Sequence, residues 1–498
     1  MTTASNIRSE LDHPVIDADG HWQEFRPVVE EALTKIGGEP AARAFRVNGE
    51  RQRRSLAMSV DQRRARNMAQ ESFWGIPTRN TRDRATAMMP ALAYERLDEF
   101  GIDFAVLFPT AGMGLTRGDD DEARVAGCRA FNIYQADLFA PFSDRITPAA
   151  MIPTHSPDEA IAELEHAVGE LGFKVVMLNS MVERPVEQGA GFHGSTPPAT
   201  GGVPALPYAS AVGEAPPAEG SWIDMLGIDS AYDYDPLWRR CQELKVSPTF
   251  HRGSRGRAFR NSPSNFCYNH IGHFAAAGEA VCKAIFMGGV TRRFPDLRFG
   301  FLEGGVGFAC LLYNDLIGHW NIRNGEALEY TDPANLDMDL MRELAEKYAS
   351  ESFANAVKRG AISRNNGADT NGGVDEIDDY AACGIQGRED FLELFVKPFY
   401  FGCEADDPAN AWAFNRAFNP GNAEMNAMFG SDIGHFDVQD MADVLPEAFE
   451  LVEDGKIDRK QFRRFVFDNP VRFWGESNPG FFDGTSVAEE ARRVLAAQ

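Results

Sequence analysis

Eight short apolar runs, separated by stretches of helical composition, constrain this chain more than any other feature: Val15–Asp19, Ile102–Phe108, Ile146–Ile152, Phe173–Leu178, Val246–His251, Leu297–Glu303, Phe399–Cys403 and Ala427–Asp432. Runs of this length read as strands buried on both faces, and helices between them read as parallel βα units. Helices are expected over Asp120–Phe139 and Ser156–Leu171, the second opened by a capping box of Ser156 and Glu159. Pro109 stops the second run. Taken once each, the runs suffice to close an α/β barrel, a distorted (β/α)8 fold with long insertions. An open doubly wound sheet is the structural competitor, but no glycine-rich nucleotide fingerprint follows the first run.

The 498 residues are read as a single catalytic domain over 13–480. A charged, helical segment fills roughly residues 40–100 and includes the arginine-rich run Arg51–Arg66. Residues 182–222 are rich in Gly, Pro, Ala and Ser without periodicity and read as an insertion loop. Residues 321–396, with a helical stretch at Leu336–Lys358, read as a mostly helical insertion, a cap or a dimerisation element.

A formal net charge of -25 repels phosphate backbones and argues against nucleic acid as a partner. No run reaches the roughly 18 apolar residues of a membrane span, and Met1–Asp12 has no signal-peptide core. Seven dispersed cysteines without a CxxC pair read as reduced thiols of a cytoplasmic protein, not as a structural zinc site.

Chemistry concentrates where the runs end. Asp17, Asp19 and His21 are spaced by two, which in an extended chain turns them to one side, at the C-terminal mouth of a barrel. His251 ends one run and Asp432 ends the last, which a closed barrel returns beside the first. Asp19, His21, His251 and Asp432 form a mixed nitrogen and oxygen set suited to one divalent ion, Zn2+ first, with Mn2+ or Fe2+ as alternatives. Each residue has a plainer reading too, a turn Asp, a core His or a helix cap, and the convergence of all four favours the site.

Five segments carry a family likeness: Val15-Ile-Asp-Ala-Asp-Gly-His21, Gly101-Ile-Asp-Phe-Ala-Val-Leu-Phe-Pro109, His251 with its strand, Arg293-Phe-Pro-Asp-Leu-Arg298 and Phe429-Gly-Ser-Asp-Ile-Gly-His435. In these the chain resembles the amidohydrolase-related branch of the amidohydrolase superfamily, metal-dependent TIM-barrel hydrolases and decarboxylases. The resemblance implies a divalent metal at the strand ends, with Asp19 and His21 as the first-strand ligands, His251 the next and Asp432 the last. It also implies a homodimer. The first motif of the family more often reads H-x-H, so Asp19 is a departure, and Glu303 stands where many relatives have histidine. Lys174 begins its strand rather than ending it, which excludes a bridging lysine and favours a single metal.

Glu303 is the first choice for proton transfer, with His273 second. The Gly304-Gly305 pair after it leaves room for close approach. His270 and His273 are expected on one face of a helix over Asn269–Lys283. His435 is a candidate to contact substrate or orient a ligand. Arg252 and Arg255, in a run that continues to Arg257 and Arg260, are candidates to clamp a substrate carboxylate. Trp22, Phe73, Trp74 and Phe266 are candidates to flank an aromatic substrate. The leading expectation is hydrolysis of a C–N, C–O or C–C bond by metal-activated water, on a small carboxylate-bearing or aromatic substrate. The alternatives are non-oxidative decarboxylation of an aromatic or unsaturated acid, and a non-catalytic binding protein on a barrel scaffold.

Overall fold

Strands form where apolar residues are continuous, because both faces of each strand are covered. The computed structural model describes residues 3–66, 68–71, 79–118, 120–185, 221–254, 261–330, 335–359 and 378–497. In chain order the strands are β1 (Ile16–Trp22), β2 (Phe104–Pro109), β3 (Ile146–Ile152), β4 (Val175–Leu178), β5 (Val182–Pro185), β6 (Ser221–Asp224), β7 (Pro248–Phe250), β8 (Phe299–Phe301), β9 (Phe399–Glu404) and β10 (Asn426–Gly430). Eight of them form one sheet in the order β1-β2-β3-β4-β7-β8-β9-β10. Every pair in that sheet is parallel.

The barrel closes just beyond β10. There Asp432 N donates to Asp19 O at 3.0 Å and His21 N donates to Ile433 O at 2.8 Å. Asp17 seals the same seam, accepting from Ser431 N at 2.9 Å and from Ser431 Oγ at 2.6 Å. On the opposite wall, register places Phe250, Phe301 and Phe401 side by side on β7, β8 and β9, with successive ring centroids 5.6 and 5.8 Å apart. This aromatic ladder stiffens the wall that carries His251 and Glu303. The fold is thus a distorted (β/α)8 barrel with long insertions.

Helices follow their local signals. Asp120 caps the helix Asp121–Phe139 by accepting from Ala123 N, and Gly101 ends the helix Pro90–Phe100 at φ 73°. Several expectations are corrected. Ser156 accepts from Glu159 N, but the Glu159 carboxylate does not return to the cap: it pairs with the buried Arg124 at 2.6 Å. The stretch from Leu336 to Lys358 is helical as expected, in two helices, Met338–Tyr348 and Glu351–Lys358, the second capped by Ser350. The segment from 182 to 222 was expected to lack strands, yet its ends belong to the antiparallel pair β5 and β6; residues 186–220 lie outside the described residues. Most strands are also shorter than the apolar runs, so His251, Glu303 and Asp432 sit just past their strands, whereas Asp19 and His21 lie inside β1. All seven cysteines are free and all but Cys267 are buried. Among the described residues no helix is long and apolar enough to cross a membrane.

Candidate metal centre

The ends of β1, β7, β8 and β10 bring five buried side chains to one point at the barrel mouth: Asp19, His21, His251, Glu303 and Asp432, with His435 joining them from the turn after β10. His251 Nε2 lies 3.0 Å from Asp19 Oδ1, 3.1 Å from His21 Nε2 and 3.4 Å from Glu303 Oε2. His21 Nε2 lies 3.7 Å from Asp19 Oδ1 and 3.4 Å from Asp432 Oδ1. His435 Nδ1 is 2.6 Å from Asp432 Oδ1 and 3.8 Å from Glu303 Oε1.

Glycines let these backbones approach. A Cβ on Gly430 would meet the Cβ of Asp19 at 2.8 Å, and Gly434, at φ 103°, packs against the His21 carbonyl. Two non-glycine residues of the centre, Glu303 (φ 58°) and Asp432 (φ 49°), are themselves left-handed. Such a conformation costs of order 1–3 kcal/mol and persists where the surroundings dictate it.

The donor set fits a divalent cation. Asp19 Oδ1 and Asp432 Oδ1 are buried yet accept no hydrogen bond; the 2.6 Å approach of His435 Nδ1 to Asp432 lacks hydrogen-bond angles. Buried carboxylate oxygens left without donors are costly unless a cation satisfies them. Burial, reinforced by neighbouring imidazoles, lowers the His21 and His435 pKa values well below the ordinary histidine value, so both present neutral rings. Burial, with Glu303 beside it, raises the Asp432 carboxyl well above the usual range. Ligand atoms fall into two groups, Asp19, His21 and His251, and His21, Glu303, Asp432 and His435, each with all atoms within 4.8 Å of one another. His21 belongs to both and faces them through Nε2. One nitrogen lone pair serves one ion, so the cluster describes one centre able to hold a single divalent ion.

Other expected residues fall elsewhere. Asp17 does not face the centre: the register shifts between Asp17 and Gly20, and its carboxyl is consumed by Ser431. Burial pushes the Asp17 pKa up to about 7. His270 and His273 do not share one helix, because Gly272 at φ 69° separates Phe266–His270 from His273–Met287. His273 is buried one ring behind the centre, 4.3 Å from Phe274, which in turn meets His251 edge-on at 5.7 Å. Gly304 opens no space toward a substrate, since a Cβ there would meet Phe308 and Ala275. Trp22 is buried against Phe131 and Phe139 rather than at the mouth. Phe266 stacks on His270 and meets Phe436 edge-on. Lys174 points away, its Nζ donating to Phe481 O at 2.6 Å. Arg252 Nη1 donates to Asn179 Oδ1 at 2.7 Å and also to Met181 O. Arg255, Arg257, Arg260, Phe73 and Trp74 lie outside the described residues.

Two residues were not anticipated. Glu404 ends β9 beside the centre; burial, with Asp437, Asp406, Asp407 and Asp19 around it, pushes its pKa up to about 8. Its signal was present, a carboxylate closing the apolar run Phe399–Cys403. Thr110, just after β2, places Oγ1 3.2 Å from His435 Nε2.

Residues 16–322 match the family model described as Amidohydrolase. That match covers more than half of the chain, which therefore belongs to the amidohydrolase family. No curated protein matches. Among solved structures, an amidohydrolase from Mycobacterium avium subsp. paratuberculosis K-10 is similar at 16% identity over 79% of this chain and 75% of its own, with a TM-score of 0.45. A dihydroxybenzoic acid decarboxylase from Polaromonas sp. JS666, solved with manganese and 2-nitroresorcinol, is similar at 14% identity over 93% and 97%, with a TM-score of 0.48. A 5-carboxyvanillate decarboxylase from Sphingomonas paucimobilis is similar at 15% identity over 93% and 98%, with a TM-score of 0.46.

Proposed function

We propose that this member of the amidohydrolase family is a metal-dependent decarboxylase of a small aromatic or unsaturated acid. Asp19, His21, His251 and Asp432 hold the ion in this reading. A bound divalent ion supplies positive charge that orients an anionic oxygen of the substrate and draws electron density toward it.

The observation that carries the reading is the placement of Glu303. Its left-handed backbone turns the carboxyl into the centre, 3.4 Å from His251 Nε2 and 3.8 Å from His435 Nδ1. In its protonated form it can give a proton to a substrate carbon. That proton forms the new C–H bond; the C–C bond to the carboxylate then breaks, its electron pair returns to the ring or double bond, and CO2 leaves. Solvent reprotonates Glu303. Phe108, stacked on His251 at 5.1 Å, and Phe274, edge-on to it, give the centre apolar walls suited to a flat ring.

Hydrolysis is the second reading, favoured by the same Glu303 acting as a base toward water. One experiment separates the two. The protein is loaded with Mn2+ or Zn2+ and incubated with hydroxybenzoic acids, and with their amides and esters, in 18O-labelled D2O. The proposed reaction releases CO2 and leaves one deuterium on the product carbon. Solvent 18O incorporated into the product without CO2 release would establish hydrolysis instead.

A further inference from the structure

We infer that Thr110 is a positioning residue that fixes the tautomer of His435 and turns its Nδ1 lone pair into the centre, making His435 a further nitrogen donor to the ion. The inference rests on the metal-centre reading above.

The argument begins with the Thr110 hydroxyl. Its Oγ1 lies 3.0 Å from Trp22 O, a carbonyl that has no proton to give, so the hydroxyl proton is committed there. The Thr110 backbone N donates to the same carbonyl at 3.2 Å. The next two residues are pinned as well, Ala111 N and Gly112 N donating to the buried Glu24 carboxylate at 2.8 and 2.5 Å. Thr110 is therefore held from both sides.

With its proton spent on Trp22, Thr110 Oγ1 offers only lone pairs to His435 Nε2, 3.2 Å away. The contact is a hydrogen bond only if Nε2 carries the imidazole proton. A neutral ring protonated at Nε2 has an unprotonated Nδ1, and that atom faces Asp432 Oδ1 at 2.6 Å and Glu303 Oε1 at 3.8 Å. Asp432 Oδ1, buried and without a hydrogen-bond donor, and His435 Nδ1 are placed to meet the same ion, within the group of His21, Glu303, Asp432 and His435 donor atoms that lie within 4.8 Å of one another. The arrangement is that of a ligand histidine whose outer nitrogen is held by a supporting hydrogen bond, here to a threonine oxygen.

The test uses 15N-histidine-labelled full-length protein in three forms: wild type, Thr110→Val, which keeps the shape but removes the oxygen, and Thr110→Ser, which restores it. Two readouts are taken, the His435 tautomer by 15N NMR in the metal-free state and the Mn2+ dissociation constant. Expected are the Nε2–H tautomer in wild type and Thr110→Ser, its loss in Thr110→Val, and an affinity lower by about 10–100-fold in Thr110→Val alone. In a Thr110→Val/His435→Gln double variant the losses should not add, because both act through one ligand. An Nδ1–H tautomer in the wild type, unchanged affinity in Thr110→Val, or additive losses would each overturn the assignment of Thr110 and His435. A wild type that binds no Mn2+ would instead overturn the metal-centre reading itself.

Discussion

Asp432 Oδ1 and His435 Nδ1 face each other at 2.6 Å in a buried turn, and the residue that makes this possible is strained: Asp432 holds φ 49°. Only four residues, Ser431 to Gly434, separate the end of β10 from His435, so the left-handed step at Asp432 sets the approach of the two side chains. Glycine adopts that conformation without cost, whereas alanine pays about 1–2 kcal/mol. In metal-free protein, Asp432→Gly should therefore be about 1 kcal/mol more stable than Asp432→Ala by thermal or urea unfolding. Equal stabilities would mean that the turn is not strained.

Glu303→Gln keeps the shape of the side chain and removes the proton it can transfer. Turnover should fall by about 10²- to 10⁴-fold while the protein stays folded and retains its ion. Metal content and kcat measured on one preparation separate the outcomes. Loss of the ion would make Glu303 a ligand, and full turnover would make its carboxyl structural.

Stability of the metal-free protein should depend on pH through Glu404. Its folded pKa, near 8, lies above the ordinary glutamate value of 4.5, so between those values the folded state binds more protons than the unfolded state. Stability should accordingly fall as pH rises from about 4.5 to about 8 and level off above that. Glu404→Gln should flatten the slope, read as Tm against pH. A slope unchanged by the substitution would show that other carboxyls, such as Asp17 or Glu447, both pushed up to about 7, carry it.

Much of the centre was legible because burial leaves few reasons for a charge to close an apolar run. Asp19, His21, His251, Glu303 and Asp432 each follow or end such a run, and closure of the barrel accounts for Asp432 lying beside Asp19. Glu404 obeys the same rule but stands one residue beyond the apolar run that closes at Cys403, as the last residue of β9. What could not be read was set by backbone geometry. The shift between Asp17 and Gly20 removes Asp17 from an alternation that put it with Asp19, and Gly272 breaks the helix that would have paired His270 with His273. Thr110 carries no sequence signal, since its role depends on which proton goes to Trp22.

Arg252 is anchored by Asn179 and Met181, which holds the start of its loop against the end of β4. As a carboxylate clamp, it should raise KM for an acidic substrate by about 10- to 100-fold when replaced by methionine, with a much smaller effect on the neutral ester. Equal effects on acid and ester would assign Arg252 to scaffolding.

The most direct test of the account is the metal content of wild type and His251→Ala after dialysis against Mn2+ or Zn2+, measured by elemental analysis. His251 Nε2 lies within 3.0–3.4 Å of Asp19, His21 and Glu303, so its loss removes the donor on which these residues converge. The account predicts about one divalent ion per wild-type chain and far less in a folded His251→Ala. Equal occupancy in the two proteins, or none in the wild type, would contradict it.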